Sequence, residues 1–381
     1  MDTNKIRILV TGGGSGGHIY PLLAVLETLQ ETIEKNNLKA EIRYLGASGR
    51  YHFLIAGKNI SVKDIAEAKI RRYFSLRNIS DAPKFIFSLF QAFWHVFWFM
   101  PDVLFSKGGP GSLPVVLACA FYRIPIFIHE SDSVPGLANK SAAKYAIKIG
   151  VAFESAKQFF NSAKTVVLGN PIRASLLNNV IPQQEIKKIF GFNAEEPLLL
   201  FLGGSLGSER INEFVISNLE DLLRDFQVLH QTGINNYETV KNEAGVLLKD
   251  YLEEEKGRYQ PIGFFEKDYK DALSAADLVI SRAGGGTIFE IASFGKPSIL
   301  IPLKESAADH QRLNAYEYAE TQAAIVIEEK NLLPHLFINQ LQDLFSQPAK
   351  LKQMGEAAKR FAKPEAAQVI AEEILGLAKV F

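Results

Sequence analysis

One structural unit recurs along this chain: a run of apolar residues, a glycine-rich loop and an amphipathic helix. It first occurs as "IRILVT" (6–11), "GGGSGG" (12–17) and "HIYPLLAVLETLQETIEK" (18–35). It restarts in the second half of the chain as "PLLLFLGGSLGSERINEFVISNL" (197–219). Strands that alternate with helices form parallel sheets with helices on both faces. The sequence therefore predicts an α/β fold of two Rossmann-like, doubly wound domains.

The restart also divides the chain. We place one domain at residues 1–168 and a second at 169–361, with a helix at about 362–381 that packs back on the first. In doubly wound sheets a ligand binds beyond the carboxyl ends of the strands, where the glycine-rich loops lie. The cleft between the two domains is therefore the predicted site.

Composition narrows the class of protein. The chain has 381 residues, of which 47% are hydrophobic and 22% charged, as is typical of a soluble globular protein. Its start, "MDTNKIRILV", has no apolar signal core, so export is not predicted. The one cysteine, Cys119, lies in the apolar run "LPVVLACAFYRIP", which indicates a buried, inert thiol in a reducing compartment.

The zero net charge hides a division between the two halves. Residues 1–170 carry 20 Lys and Arg against 12 Asp and Glu, a net charge of +8, and the remaining residues carry −8. This asymmetry predicts that the first half faces something anionic, such as a membrane surface or a phosphorylated partner. Nucleic acid is not predicted, because the chain has no dense basic run.

The first glycine-rich loop satisfies G-x-G-x-x-G with Gly12, Gly14 and Gly17 but lacks the rest of a dinucleotide fingerprint. That fingerprint needs an acid at the end of the second strand, to bind a ribose. Here the second strand ends in "YLGAS" (44–48), without an acid. Three glycine-rich loops in two domains instead suit a nucleotide diphosphate that is joined to a second group.

Neither a metal nor another cofactor is predicted. The sequence has no Asp-x-Asp pair, and its seven histidines have no ligand spacing. Backbone N–H groups at helix N-termini, which carry partial positive charge, can stabilise a leaving diphosphate instead.

Six motifs, in order and at similar spacing, resemble those of the MurG family of peptidoglycan N-acetylglucosaminyltransferases. They are "TGGGSGGHIYP", "HESDSVPGLANK", "GNPIR", "GGSLGSERIN", "RAGGGTIFE" and "DHQRLNA". The resemblance implies a two-domain GT-B enzyme in cell-wall synthesis that transfers N-acetylglucosamine from UDP-GlcNAc to the muramyl 4-hydroxyl of lipid I, with inversion. It also implies that the first domain faces acceptor and membrane, on the cytoplasmic face of the plasma membrane, and that the second domain binds the donor.

The resemblance carries over a set of donor-binding positions. They are Ser15, Gly16, Gly17, Asp132, Arg173, Ser205, Phe265, Gly285, Gly286, Thr287, Ile288, Phe289, Glu290 and Gln311, with His310 as a weaker candidate. Some have a plain alternative: a tight turn for the first loop, a helix N-cap for Ser205, a surface arginine at a domain hinge for Arg173 and a solvated helix face for Glu290. The family uses the carboxylate at the position of Glu290 to accept hydrogen bonds from ribose hydroxyls.

His18 is the predicted general base. It follows the diphosphate loop at a helix N-terminus, where partial positive charge disfavours imidazolium, and a neutral imidazole can accept the proton of the acceptor hydroxyl. The alternatives are a histidine that only hydrogen-bonds the loop, and Glu130 in "HESD" as the base.

Two loops depart from the usual pattern of the family. After the paired glycines of "SKGGPGSLP" the family commonly has an aromatic and a small β-branched residue, where this chain has Pro110 and Gly111. At the end of "HESD" it commonly has Asn, where this chain has Asp132. Both loops are expected to face the acceptor, and an ionised Asp132 would repel a diphosphate lipid unless a Lys or Arg lies near it.

The segment "FIFSLFQAFWHVFWFM" (85–100) is dense in Phe and Trp and has no acid or strong base. It is shorter than the ~20 residues of a membrane-spanning helix. A buried helix is one interpretation. The other, which we favour, is a surface for peripheral attachment to an anionic membrane, because "KIRRYFSLR" (69–77) precedes it.

Three other functions stay open at this point. A glycolipid glycosyltransferase with a different lipid acceptor would have similar donor loops. A nucleotide-sugar epimerase shares the fold but would not need the aromatic segment. A catalytically silent binding partner would keep the glycine-rich loops, but it would not need His18, Glu290 and Gln311.

Overall fold

The computed structural model describes residues 5–67, 76–178, 181–204, 207–266 and 268–380. The chain divides into two compact units. Unit 1 consists of Met1–Ala174 and Lys363–Phe381, and unit 2 of Ser175–Ala362.

Seven parallel strands form the sheet of unit 1. They are β1 (Ile6–Thr11), β2 (Ala40–Gly46), β3 (Ser61–Asp64), β4 (Val103–Ser106), β5 (Ile126–Glu130), β6 (Lys148–Val151) and β7 (Thr165–Val167). Their spatial order is β3-β2-β1-β4-β5-β6-β7. In the central strands β4 and β5 every residue is buried, because helices cover both faces of the sheet.

Six parallel strands form the sheet of unit 2. They are β8 (Leu198–Leu202), β9 (Gln227–Gln231), β10 (Tyr259–Ile262), β11 (Leu278–Ser281), β12 (Ser298–Leu300) and β13 (Ala324–Val326). Their order, β10-β9-β8-β11-β12-β13, again places the first strand beside the fourth. The predicted α/β fold with two Rossmann-like parallel sheets is confirmed.

Helices connect the strands of both units. They are α1 (Gly16–Lys35), α2 (His52–Ala56), α3 (Leu76–Phe99), α4 (Ser112–Phe121), α5 (Leu137–Ala142), α6 (Ala174–Leu177), α7 (Gln183–Ile189), α8 (Glu209–Ser217), α9 (Leu219–Asp225), α10 (Tyr237–Leu247), α11 (Glu253–Lys256), α12 (Tyr269–Ala275), α13 (Gly285–Ser293), α14 (His310–Glu320), α15 (Pro334–Ser346), α16 (Pro348–Phe361) and α17 (Ala366–Val380). Helix α1 begins two residues before the predicted start at His18, because Ser15 has extended backbone and serves as N-cap.

The last helix belongs to unit 1. Helix α17 contacts α1, β1 and β4, and its apolar face joins their core through Ile370, Ala371, Ile374 and Leu375. An ion pair of 2.5 Å between Lys148 Nζ and Glu373 Oε1 adds a polar contact. The chain thus returns to its first sheet after completing the second unit.

Helix α3 has two different faces. Ala92, Val96 and Phe99 are buried in a core that also holds Cys119, so the predicted burial of the cysteine is confirmed. The opposite face leaves large apolar side chains exposed, including Phe90, Trp94 and Trp98. One face of the aromatic segment is therefore buried and the other is exposed, and attachment of the exposed face to a membrane stays a prediction. No helix in the described ranges is long and apolar enough to cross a membrane.

Candidate active site

The carboxyl edge of the sheet in unit 1 brings three loops together. Strands β1, β4 and β5 are neighbours, and residues 12–15, 107–111 and 131–136 follow them directly. The backbone N–H of Lys107 donates to the Thr11 carbonyl at 2.9 Å, which fixes the second loop beside the first. This is the edge where doubly wound sheets bind ligands.

His18 lies in the first turn of α1, directly after the first loop. Its Nδ1 is 2.9 Å from the hydroxyl oxygen of Ser15, and its backbone N–H donates to the Ser15 carbonyl at 3.1 Å. Ser15 is the N-cap residue by its extended backbone, but its hydroxyl pairs with the imidazole and accepts no backbone N–H of the helix. Ser15, Gly16, Gly17 and His18 thus occupy consecutive positions at one helix N-terminus.

The second loop packs against the first. Gly109 has φ +86°, and a Cβ there would lie 2.2 Å from the Gly13 carbonyl oxygen and 3.2 Å from Cγ of His18. Pro110 lies against Gly14, where a Cβ would meet its ring at 2.7 Å. The two residues that depart from the family pattern, Pro110 and Gly111, therefore lie where the loop meets residues 12–15 and where α4 begins.

Glu130 is almost completely buried at the end of β5. Its Oε1 accepts the backbone N–H groups of Ser131 (2.8 Å) and Asp132 (3.1 Å). Its Oε2 accepts the N–H of Gly136 (3.1 Å) and the amide of Asn139 (3.0 Å). Burial raises the pKa of Glu130, as does Asp132, against the hydrogen bonds and the charge of Lys107. The carboxylate thus organises the loop at 131–136.

Lys107 is a buried cation at the same edge, with a side chain that is only 1% exposed. Its Nζ lies 2.7 Å from Nδ1 of His129 and 3.3 Å from Oδ1 of Asn170, and it also donates to the hydroxyl of Ser131. Burial lowers the pKa of Lys107 to about 7, while Glu130 and Asp132 oppose that shift. The ammonium group thus links three segments of unit 1.

His129 is held neutral inside this cluster. Its Nε2–H donates to the Gly169 carbonyl at 2.9 Å, so its Nδ1 accepts from Lys107. Burial, and next the charge of Lys107, lower the pKa of His129 well below its ordinary value. This histidine is therefore a fixed acceptor for the lysine.

Arg173 belongs to unit 1 and lies near α1. The guanidinium carbon is 5.4 Å from the centroid of the Tyr20 ring, a cation–π distance. Its buried Nε has no hydrogen-bond partner within the described part of the chain. Because a buried N–H donor without a partner is costly, this nitrogen is suited to an anionic or carbonyl acceptor from a ligand.

In unit 2 the third glycine-rich loop opens α13. Gly285, Gly286 and Thr287 form the first turn of this helix, where backbone N–H groups lack partners within the helix. The side chains of Ile288 and Phe289 are buried in the unit, so these two residues can meet a ligand only through their backbone. Glu290 is half-buried on the same helix, and Oη of Tyr269 donates to its Oε2 at 3.0 Å.

The remaining donor-side positions are spread over three segments. Phe265 is buried, with only its backbone suited to a ligand contact. The side-chain carbonyl of Gln311 accepts the Leu303 N–H at 3.0 Å. Its side-chain NH₂ group is therefore the part that can donate to a hydroxyl of a ligand. Nδ1 of His310 lies 2.7 Å from the Ala307 carbonyl. Ser205 lies outside the described residues, and the N-cap of α8 is Ser208.

Arg282 is a second cation that follows a central strand. Its guanidinium donates to the Ile301 carbonyl (3.2 Å) and to the Ser208 hydroxyl (2.7 Å), and it pairs with Glu329 at 2.5 Å. It thereby ties the start of α8 to the strands beside it.

Among the described residues no group of three or more His, Cys, Asp or Glu could hold a metal ion.

Comparison with known proteins identifies the family. The glycosyltransferase family 28 N-terminal and C-terminal domains match residues 8–151 and 198–370. A Clostridium botulinum protein is 38% identical over 341 residues, which cover 89% of this chain and 91% of that protein. It is named UDP-N-acetylglucosamine–N-acetylmuramyl-(pentapeptide) pyrophosphoryl-undecaprenol N-acetylglucosamine transferase. The chain belongs to the MurG family.

Solved structures agree with this membership. The crystal structure of MurG from Acinetobacter baumannii matches with a TM-score of 0.74 at 26% identity, over 97% of this chain and 99% of that one. A UDP-GlcNAc 2-epimerase from Neisseria meningitidis matches with a TM-score of 0.67 at 15% identity, over 97% and 100%. At that identity the epimerase shows the shared fold alone.

Two site residues of this MurG-family chain escaped the sequence prediction, Lys107 and Arg282. Charged residues are rarely buried, so their positions beside glycines gave no reason to expect an enclosed cation. A signal was present, because each directly follows a strand that ends in two large apolar residues and a serine, in "LFSKGG" and "VISRAGGG". The roles of the predicted site residues stay predictions.

Proposed function

We propose that the protein transfers N-acetylglucosamine from UDP-GlcNAc to the 4-hydroxyl of an undecaprenyl-diphosphate-linked muramyl pentapeptide, with inversion. The family membership supports the reaction class and both substrates. The observation that carries the mechanism is the position of His18. The first turn of α1 contains both the imidazole of His18 and the backbone N–H groups of the helix N-terminus.

The donor is assigned to unit 2. The N-terminal turn of α13 supplies N–H groups for the diphosphate, and partial positive charge at this terminus favours the anion. Glu290 can accept hydrogen bonds from ribose hydroxyls, since Tyr269 already orients its carboxylate. Gln311 can donate to a hydroxyl of the sugar through its amide nitrogen.

The chemical step is a single displacement at the anomeric carbon. The acceptor oxygen forms the new bond to C1 while the bond from C1 to the diphosphate oxygen breaks, and UDP leaves with that electron pair. In the tautomer whose Nδ1–H donates to Ser15, Nε2 of His18 carries the lone pair that takes the hydroxyl proton. The N-terminus of α13 is suited to the charge that develops on UDP, and so is Nε of Arg173, which has no hydrogen-bond partner among the described residues.

The surroundings of Glu130 favour His18 as the base. Four N–H donors already occupy the two oxygens of Glu130, and its side chain is buried. A base must reach the proton that it removes. The half-exposed His18 meets that requirement better, and Glu130 is assigned to the order of the loop.

Peripheral attachment to an anionic membrane is assigned to the exposed face of α3. Trp94 and Trp98 are 63% and 65% exposed, and their rings contact each other at a centroid distance of 5.8 Å. Exposed aromatic side chains of this kind favour membrane interfaces. Most of the basic segment 69–77 lies outside the described residues, so its part in binding rests on charge alone. This attachment would place the protein at the cytoplasmic face of the plasma membrane.

The transfer reaction is tested with labelled UDP-GlcNAc and lipid I, in the presence of a metal chelator. We expect labelled lipid II and free UDP in equal amounts. A parallel reaction without lipid I tests the epimerase alternative, because an epimerase would convert the donor alone. Epimerised donor without lipid II, or transfer only to another glycolipid, would overturn the proposal.

The membrane assignment is tested by replacing both Trp94 and Trp98 with Ser. Because these side chains are exposed, we expect the variant to fold and to bind donor, but to sediment less with anionic vesicles. Val246→Ser together with Leu252→Ser is the matched control, since these unit 2 side chains are 75% and 71% exposed. Equal losses in both variants would contradict a specific membrane surface.

A further inference from the structure

Tyr44 is a fully buried tyrosine whose hydroxyl reaches the first glycine-rich loop from the core. It lies on β2 opposite Val10 of β1, and its ring belongs to the core that α1 and α17 form with the sheet. Its Oη donates to the carbonyl of Gly12, the first residue after β1. A carbonyl oxygen only accepts, so the phenol is the donor, and burial raises the pKa of Tyr44, which keeps that proton in place.

The surroundings of this hydroxyl fix its direction. A Cβ on Gly46, two residues further along β2, would lie 2.9 Å from Oη of Tyr44, and a Cβ on Gly13 would lie 3.3 Å from it. Because neither residue has a side chain, the phenol can reach the main chain of the loop. The hydrogen bond from Tyr44 to Gly12 is thus enclosed on both sides.

The peptide group between Gly12 and Gly13 converts this hydrogen bond into a direction for the next N–H. In a planar trans peptide the C=O and the N–H point in opposite directions. Since the Gly12 carbonyl points at Tyr44, the Gly13 N–H points away from it. Gly13 is buried, and none of the described residues accepts this N–H. A buried N–H without an acceptor is costly, so this donor is suited to an acceptor from a ligand.

The peptide group after Gly13 is fixed as well. Its carbonyl lies against Gly109 of the second loop, where a Cβ would clash with that oxygen and would lie 3.2 Å from Cγ of His18. Gly13 therefore lies between the buried phenol and the loop that approaches His18. Donors that are already oriented need no rearrangement when an anion binds.

We propose that Tyr44 is a positioning residue for the first glycine-rich loop: its hydroxyl holds the Gly12 carbonyl in the core, so that the Gly13 N–H is directed at a bound diphosphate. This inference rests on the proposed function, in which both substrates carry a diphosphate. The donor and the lipid-linked acceptor offer the same chemistry to this N–H, and the experiment separates them.

The experiment measures binding of inorganic diphosphate to the full chain by calorimetry. Tyr44→Phe keeps the ring and removes the hydroxyl, so the peptide between Gly12 and Gly13 loses its fixed direction. We expect Kd for diphosphate at this loop to rise about tenfold. Because the probe is inorganic diphosphate, a chain that makes no lipid II would refute the proposed function without deciding this measurement.

Tyr259→Phe is the matched control. Tyr259 is also a buried tyrosine on a strand, and its Oη lies 3.0 Å from Nδ1 of His230 in unit 2. Removing its hydroxyl should leave the binding of diphosphate unchanged. An unchanged Kd in Tyr44→Phe, or an equal rise in both variants, would overturn the proposal.

Saturating UDP identifies the source of the diphosphate. If UDP abolishes the difference between Tyr44→Phe and the wild-type chain, the loop binds the diphosphate of the donor. If the difference persists, the loop binds that of the acceptor. In the transfer assay KM for that substrate should rise by a similar factor in Tyr44→Phe. A mere loss of folded protein would instead lower the rate and leave both KM values unchanged, which would refute the positioning role.

Hydrogen exchange of the Gly13 amide in the wild-type chain covers the case in which Tyr44→Phe does not fold. We expect inorganic diphosphate to slow this exchange, because the N–H then donates to a bound oxygen. Bound diphosphate with unchanged exchange at Gly13 would refute the proposal, and so would the absence of diphosphate binding.

Discussion

The two units place a cation at equivalent positions. Lys107 follows β4 and Arg282 follows β11, and in each sheet this strand lies next to the first strand of its unit. The backbone bonds match as well. Lys107 N–H donates to Thr11 at the end of β1 (2.9 Å), and Arg282 N–H donates to Leu202 at the end of β8 (3.3 Å).

The side chains make different use of this position. Arg282 is 11% exposed and distributes its N–H groups over a carbonyl, a hydroxyl and Glu329. Lys107 is more deeply buried and sits among side chains of unit 1, where burial lowers its pKa to about 7. The comparison indicates two different roles. Arg282 is a permanent structural link at the edge assigned to the donor. Lys107 carries a charge that can be lost, at the edge assigned to the acceptor and to proton transfer.

The largest effect is expected for His18, on the side of unit 1. His18→Ala removes the proposed base and should lower kcat by about 10²–10⁴-fold, with UDP-GlcNAc affinity nearly kept. Steady-state rates and calorimetry measure the two quantities. His335→Ala is the control, because it also removes a histidine from the first turn of a helix, α15. A near-native kcat in His18→Ala would refute the assignment of the base.

A smaller effect is expected on the side of unit 2. Glu290→Ala removes an acceptor for ribose hydroxyls and should cost about 1–3 kcal/mol of donor binding, or about 5- to 150-fold in Kd. Calorimetric titration with UDP-GlcNAc gives this value. Glu213→Ala, an exposed glutamate on α8, should leave Kd unchanged. Donor affinity that is equal in both variants would rule out the ribose contact.

A third effect, on stability and not on catalysis or binding, separates the two cations by pH. The folded chain releases the Lys107 proton near pH 7 and the unfolded chain near 10.5, so raising the pH between these values stabilises the folded state. Relative to Lys107→Met, the wild-type chain should gain up to about 1.4 kcal/mol of unfolding free energy per pH unit. Arg282→Met should instead lose about 1.5–3 kcal/mol at both pH values, because guanidinium groups in general stay protonated throughout this range.

Urea unfolding at pH 7 and pH 9 measures these differences. Each variant is compared with the wild-type chain at the same pH, so that other titrating groups, such as the buried Lys296, cancel. The distinction between the two sites would be wrong if the loss of unfolding free energy depended on pH for Arg282→Met, or did not depend on pH for Lys107→Met.

The sequence predicted what local pattern and glycine spacing determine. The strand 6–11, the loop after it and the helix that carries His18 follow from an apolar run, glycines that permit close backbone approach, and helical periodicity. The parallel orientation of the strands follows from the alternation of strands and helices.

Burial of particular side chains could not be read from the same pattern. The segment 85–100 of α3 has large apolar residues throughout and no acid or strong base, so its sequence did not show that Val96 faces the core and Trp94 faces outward. Ile288 and Phe289 belong to a glycine-rich motif, yet their side chains fill the core of unit 2. Lys107 is enclosed by residues of β5 and by Asn170, which are distant in sequence. Tertiary contacts decide all three cases.

The division of labour between the two edges is tested most directly by lipid II formation at saturating UDP-GlcNAc. Under that condition a loss of donor affinity disappears from the rate, whereas a missing base does not. The account predicts that Glu290→Ala returns to a near-native rate and that His18→Ala stays about 10²–10⁴-fold slower. A recovered rate for His18→Ala, or a rate for Glu290→Ala that stays low at saturation, would contradict it.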